Sequence, residues 1–280
     1  MDSGKLILFF SCVGNGHCTY VSFPNGQNAL IDINISSGKE NPVSILKSLN
    51  IDTLDYLIIT HPHRDHIAGL TELVKQIIVQ TFIYSPVYFR PDPVYEDWQT
   101  YEYLRTSSHL IRRTIYEHTI GGFLFQGCHL GGVKIRYLLP FWGLSFTQKD
   151  INVNDMSLII RLTYGKNRII ICGDTEEAGW KRISDTCIRN TTLLLASHHG
   201  NNSGYYLPKI STMAPQYVVI SAGSKTESDA DNKYIYQTDK WNNPLVTALL
   251  GKSPKRVYTT RQSGVIATFN QQSLEKIINV

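Results

Sequence analysis

The feature that most constrains this chain is the run Thr60-His61-Pro62-His63-Arg64-Asp65-His66, set at the end of an almost continuously apolar segment, residues 54–60. A run of that character reads as a strand buried on both faces. The fold must therefore carry a covered sheet and deliver four metal-capable side chains at one of its edges. In an extended segment, side chains two apart point the same way, which lets His61 and His63 face one ion, and Pro62 keeps the backbone between them out of a helix. Asp65 and His66 fall where the next helix begins, a position that suits a carboxylate and turns these two toward a second ion.

The remaining sequence supplies the material for such a sheet. With 42% of its 280 residues hydrophobic, the chain can bury a large core. Strand-like runs at 6–10, 19–23 and 29–33, the last after the turn Pro24-Asn25-Gly26, predict an antiparallel meander. Helices are expected over 42–49 and 66–79. Apolar residues near helical spacing from Trp98 to His118 predict another helix, stopped by Gly121-Gly122, with Arg105, His109 and Arg112 on its polar stripe. A second half reads as strands at 133–139, 157–162, 168–173, 192–196, 217–221, 256–259 and 265–269, with helices near 176–184, 207–213 and 244–250. No linker-like stretch divides the two halves, so the expectation is one domain, residues 1–280, of two sheet layers covered by helices.

Two of those later strands end on further ligand-type residues: Gly173-Asp174 after the first, Ser197-His198-His199-Gly200 after the second. An aspartate can bridge two ions, and a histidine can close the second coordination sphere. Cys172 lies within an apolar strand and reads as a core residue. His17 and Cys18 could bind metal but sit at a strand start beside Gly16, where a structural role is expected. The five cysteines are an odd number without finger spacing, which fits a reduced compartment.

The string His61-x-His63-x-Asp65-His66 with Gly69-Leu70, Gly173-Asp174 and His198-His199-Gly200 resembles the metallo-β-lactamase superfamily. The opening Val13-Gly14-Asn15-Gly16, the segment from Pro24-Asn25-Gly26 to Leu30-Ile31-Asp32, and Asn154-Asp155-Met156-Ser157-Leu158 are similar to the soluble hydrolase domain of the ComEC DNA-uptake proteins. The resemblance covers nearly the whole chain. It implies a four-layer αββα sandwich, an α/β fold of two mixed sheets flanked by helices, with residues about 85–128 as a variable helical insertion. It also implies one or two divalent metal ions: His61 and His63 on the first, Asp65 and His66 on the second, Asp174 between them and His198 completing the second site, with His199 as the alternative. Asp65 would also orient the nucleophile, and Asp32 would support the metal histidines from behind. Asn154, Asp155, Ser157 and whichever of His198 and His199 is not a ligand would face the site or the substrate. Zn²⁺ is favoured by the histidines, and the two aspartates also suit Mn²⁺.

The sequence departs from the family in two places. Many members carry another first-metal histidine between the first motif and the bridging aspartate; this chain has Asn154-Asp155-Met156-Ser157 at the expected strand end, with His129 elsewhere. A late Ser221-Ala222-Gly223 is present, but Asn232-Lys233-Tyr234 runs into Ile235-Tyr236 where a phosphate-contacting histidine is expected. Nothing here supplies the channel of the uptake proteins, which leaves that role to a separately encoded protein partner.

What such a site would do is hydrolyse. A bound divalent ion lowers the pKa of coordinated water to about 7, and the leading expectation is a phosphodiesterase or nuclease. Hydrolysis of a carboxyl ester, thioester or lactam on the same site is the alternative, and a non-catalytic sensor or partner-binding module the second. The formal charge of +4 hides an asymmetry, because from Lys240 onward six basic residues face the single acid Glu275. Lys252, Lys255, Arg256 and Arg261 there, with Arg105 and Arg112, are the candidate contacts for a phosphodiester or nucleic-acid substrate. No apolar run reaches membrane-spanning length and none precedes a cleavage-like site, so the expected location is cytoplasmic.

Overall fold

In a computed structural model, the described residues are 4–85, 87, 94–107, 130–140, 152–223 and 257–280, together with the backbone of 111–114. The first half lays down β1 (Leu6–Phe10), β2 (Thr19–Ser22), β3 (Asn28–Ile31), α1 (Pro42–Ser48), β4 (Thr53–Ile59), α2 (Arg64–Ile67), α3 (Leu70–Gln76), β5 (Ile78–Tyr84), α4 (Glu96–Thr106) and β6 (Ile111–Thr114). The second half adds β7 (Val133–Leu138), β8 (Ile159–Tyr164), β9 (Asn167–Ile171), α5 (Glu177–Arg182), α6 (Asp185–Ile188), β10 (Leu193–Leu195), α7 (Leu207–Met213), β11 (Tyr217–Ile220) and β12 (Val257–Thr259). It closes with β13 (Val265–Phe269) and β14 (Leu274–Asn279).

These strands form two mixed sheets, ordered β14-β13-β1-β2-β3-β4-β5-β6 and β12-β11-β10-β9-β8-β7. The β1–β3 meander is antiparallel, as its turn chemistry requires, whereas β3 to β6 and β9 to β12 run parallel within their sheets. One apolar cluster, including Leu8, Phe10, Ile58, Ile160, Leu162 and Ile171, fills the space between the sheets. A second packs α1, α3 and α4 on the outer face of the first sheet, and a third packs α5 and α7 on the outer face of the other. The result is an αββα sandwich. Parallel strands send all their C-terminal ends to one edge, so the loops after β4, β9, β10, β11 and β12 share that edge.

Several expectations change in detail. The helix expected over 66–79 is two helices broken at Gly69, whose φ of 99° is open to glycine and whose Cβ, if present, would meet Ile35 at 2.5 Å. Its last residues belong to β5, because the β-branched run from Ile78 pairs with β4. The helix expected through His118 stops at Thr106, and Arg112 lies in β6, paired with Phe82 of β5. Arg105 and Arg112 therefore do not share a helix stripe. His109, His129, the helix expected at 244–250, the run 232–236, and Lys252, Lys255 and Arg256 lie outside the described residues. Among those described, no helix is long and apolar enough to cross a membrane.

Candidate metal centre

The site forms where the two sheets are stitched together at their shared edge. The Leu158 N–H donates to the Thr60 carbonyl at 2.9 Å, joining the end of β4 to the start of β8. Gly173, at φ 53°, brings the chain after β9 so close that an added Cβ would lie 2.8 Å from Thr60 Oγ1 and 3.0 Å from Ser157 Cβ. This approach buries Asp174 at the centre of the ligand-type residues.

Asp32 organises the near wall from full burial. Its Oδ1 accepts the Thr60 N–H at 2.7 Å; its Oδ2 accepts the Thr60 hydroxyl at 2.7 Å and faces Nδ1 of His66 at 2.8 Å and of His17 at 3.0 Å. An ionised carboxylate only accepts, so both rings donate Nδ1–H and carry their lone pairs on Nε2. Thr60 Oγ1, having given its proton to Asp32, can accept Nδ1–H of His61 at 3.2 Å, which sets the same tautomer there. Burial alone would raise the Asp32 carboxyl, but His66 and His17 outweigh it and hold it far below the usual range. Asp32 itself sits at φ 55°, a left-handed conformation that a buried network can sustain.

The donors then converge on Asp174. His66 Nε2 lies 3.2 Å from Asp174 Oδ1, while Oδ2 lies 3.5 Å from His199 Nε2 and 3.8 Å from His61 Nε2 and from His198 Nε2. His61 Nε2 and His63 Nδ1 are 3.1 Å apart, and Asp65 Oδ2 is 3.1 Å from His199 Nε2. Asp65, His66, Asp174 and His199 each offer a ligand atom within 4.8 Å of the others. Their fit to a divalent ion shows at His66: its buried Nε2 makes no hydrogen bond, so two lone pairs face each other across the gap to Asp174. Only a cation relieves that arrangement, a proton or a metal ion.

The charges reflect this. Burial opposes protonation of His66, but Asp174, Asp32 and Asp65 overcome it and push its pKa up to about 10; His199 is likewise raised by Asp174 and Asp65. Asp174 is held well down, its burial outweighed by His66 and His199. His61 and His63 move the other way: burial lowers both, and His66 adds to the effect.

Of the two alternatives for the second site, His199, buried and 3.1 Å from Asp65, stands with that group, while His198 lies at the rim. Both residues are left-handed, at φ 49° and 53°, and that turn brings both adjacent rings to Asp174 Oδ2, His199 Nε2 at 3.5 Å and His198 Nε2 at 3.8 Å. Asp155 turns one carboxylate oxygen to α5. Its Oδ1 accepts the N–H of Glu176 at 3.0 Å and of Gly179 at 2.7 Å, so it fastens the start of α5. Asn154 donates to Glu176 Oε1 at 3.0 Å, and Ser157 Oγ accepts the Asp174 N–H at 3.0 Å while lying 3.3 Å from His61 Nδ1. Cys172 is wholly buried, donating to the Leu195 carbonyl at 3.2 Å. Two residues were not read as part of the site from sequence. His17 joins it through Asp32 across 15 positions, and Glu176 through His198; for Glu176 the only available signal is a carboxylate two residues after Asp174.

Of the described basic candidates, Arg105 pairs with Glu102 at 2.6 Å and lies over the Tyr84 and Tyr101 rings. It serves packing. Arg261 follows β12, two residues past the strand end, on the edge that carries the metal-capable groups.

Residues 13–135 match the family model of the metallo-β-lactamase superfamily. The chain is 26% identical over 233 residues to ComE operon protein 3 of Bacillus subtilis (strain 168), a match over 82% of this chain and 26% of that protein, so it spans about a quarter of that relative's length. Among solved structures it is similar to Igni18, a metallo hydrolase of Ignicoccus hospitalis (TM-score 0.58, 17% identity, 94% of this chain and 99% of that one). It is also similar to CmlA, a diiron β-hydroxylase of Streptomyces venezuelae (TM-score 0.50, 12% identity, 100% and 55%). Both likenesses concern the fold.

Proposed function

We propose that this chain is a metal-dependent phosphodiester hydrolase, with nucleic acids among its substrates. The observation that carries the reading is Asp174, a buried carboxylate whose two oxygens face imidazole nitrogens from both sides, the arrangement needed to sit between two ions. His61, His63 and Asp174 would hold one ion, and Asp65, His66, His199 and Asp174 the other. Such ions, when bound, polarise a phosphoryl oxygen and make water a nucleophile at neutral pH.

The protein's own groups do the rest. Asp32 fixes the tautomers of His61, His66 and His17, so that no donor must reorient when an ion arrives. Asp65, part-exposed and hydrogen-bonded to His199, is placed to orient an attacking water with the oxygen it does not spend on metal. Arg261, at the same edge, would steady a neighbouring phosphate. The sequence resemblance to the hydrolase domain of the DNA-uptake proteins supports the phosphodiester class; Zn²⁺ and Mn²⁺ both suit the donors.

The test is a substrate panel on metal-loaded protein: single- and double-stranded DNA, RNA, cyclic dinucleotides, bis-p-nitrophenyl phosphate, and a lactam, thioester and carboxyl-ester set. Cleavage of at least one phosphodiester, lost in His63→Ala, is expected. Turnover confined to the carbonyl substrates, or a His63→Ala variant as active as the parent, overturns the reading.

A further inference from the structure

In the reading above the first ion is held by His61, His63 and Asp174 alone, one donor short of a four-ligand set, and the residues just before β8 are turned elsewhere. Asp155 holds the amides of α5, and the Asn154 side-chain amide is drawn to Glu176. His198 meanwhile shares two features with His61 and His66, a braced Nδ1 and an Nε2 facing Asp174, and adds a third. Its Nδ1 is engaged from behind, 3.1 Å from Glu176 Oε1 and 2.8 Å from Ser203 Oγ. Its Nε2 faces Asp174 Oδ2 at 3.8 Å, the same distance as His61 Nε2 from the same oxygen. Its backbone is held by an N–H···O bond of 3.1 Å to the Gly173 carbonyl, the residue that positions Asp174.

A histidine whose far nitrogen donates to a carboxylate while its near nitrogen faces a bridging aspartate is the usual form of a metal-ligating imidazole. Glu176 is in turn fixed by Asn154 at 3.0 Å and by Asn152, which donates to Oε2 at 2.9 Å. That is more bracing than a solvated surface histidine requires. We infer that His198 replaces the missing donor: the left-handed His198–His199 turn gives one imidazole to each ion, with Glu176 as the carboxylate that positions the His198 ring.

This inference rests on the metal-dependent reading above but not on the substrate, so it is tested by counting ions. Chelator-stripped protein is titrated with Zn²⁺ and with Co²⁺, following stoichiometry by calorimetry and the Co²⁺ d–d spectrum, with folding checked by circular dichroism. The parent chain should take up two equivalents. His198→Ala, or His198→Gln should the alanine variant fold poorly, should keep the ion of Asp65, His66 and His199 and lose the other, or bind it at least about 100-fold more weakly. Glu176→Gln should weaken that same ion by about 10- to 100-fold, and His199→Ala should show the opposite pattern. Two equivalents of unchanged affinity in His198→Ala overturn the inference, as does loss of the first ion in Asn154→Ala with both retained in His198→Ala. A protein that binds two ions as described yet cleaves no phosphodiester would break the functional reading and leave this one standing.

Discussion

Two carboxylates brace histidines at this site, and they do so from opposite conditions. Asp32 is wholly buried behind the first sheet's edge and collects hydrogen bonds from the Thr60 amide and hydroxyl, His66 and His17. Glu176 sits at the rim, 21% of its side chain exposed, tied to His198 and two asparagines. Both hold an imidazole Nδ1 so that Nε2 faces Asp174. The difference lies in the cost of removing them. A buried brace belongs to the core and is ordered before any ion arrives, whereas a rim brace is screened by water and its work is confined to the ligand it holds.

The sharpest way to break that contrast is Asp32→Ala. It leaves the N–H groups of two buried imidazoles and of Thr60 without an acceptor, and removing one partner of such a buried network costs about 3–5 kcal/mol. Denaturant unfolding of metal-free protein should show a loss of that order, with no measurable uptake at the His66 ion. A loss below about 1 kcal/mol would mean that Asp32 is not the organising group. Gly173→Ala should come next. Its backbone is left-handed and its Cβ would press on Thr60 and Ser157, so a loss of about 1–3 kcal/mol is expected, with weaker binding of both ions because Asp174 moves.

The same contrast explains what the sequence could reveal. His61, His63, Asp65 and His66 were legible because all four lie within one strand end and one helix start, where local periodicity alone orients side chains. Asp174 was legible as a ligand-type residue at a strand end, and Asp32 only through the resemblance to a family. His17 was read as structural, since nothing local shows that a loop histidine meets a carboxylate 15 positions away. The order of His198 and His199 depends on two left-handed residues, a conformation that no propensity rule predicts for histidine. In the fold, the meander and α7 followed their turn and helix signals closely. β5 was lost because Ile78 and Val79 also continue a helical pattern, and β14 because Glu275 and Lys276 of an edge strand do not look like sheet.

Protonation separates His66 and His199 from His61 and His63. In metal-free protein, His66 keeps a proton up to about pH 10 because Asp174, Asp32 and Asp65 outweigh its burial, and His199 is raised in the same way. An ion on that side must displace protons, so its affinity should climb with pH through the neutral range, by about tenfold per unit for each proton released. His61 and His63, lowered by burial, meet an ion already neutral. Calorimetric titration in buffers of different ionisation enthalpy should show proton release concentrated in one binding step. Equal release in both steps would erase the distinction.

The smallest expected effect is the most discriminating. Glu176→Gln keeps the size of the side chain and an oxygen that can still accept from His198 or from an asparagine, and at a part-exposed position the lost charge interaction is worth less than about 1 kcal/mol of stability. Unfolding of the metal-free variant should therefore superpose on the parent within that margin, while the ion assigned to His198 binds more weakly. If Glu176→Gln instead destabilised the metal-free fold as much as Asp32→Ala, the rim brace would be part of the core after all. Its hydrogen bonds to Asn152 and Asn154, which bring the segment before β8 against α5, would then be the reason that Glu176 stands there.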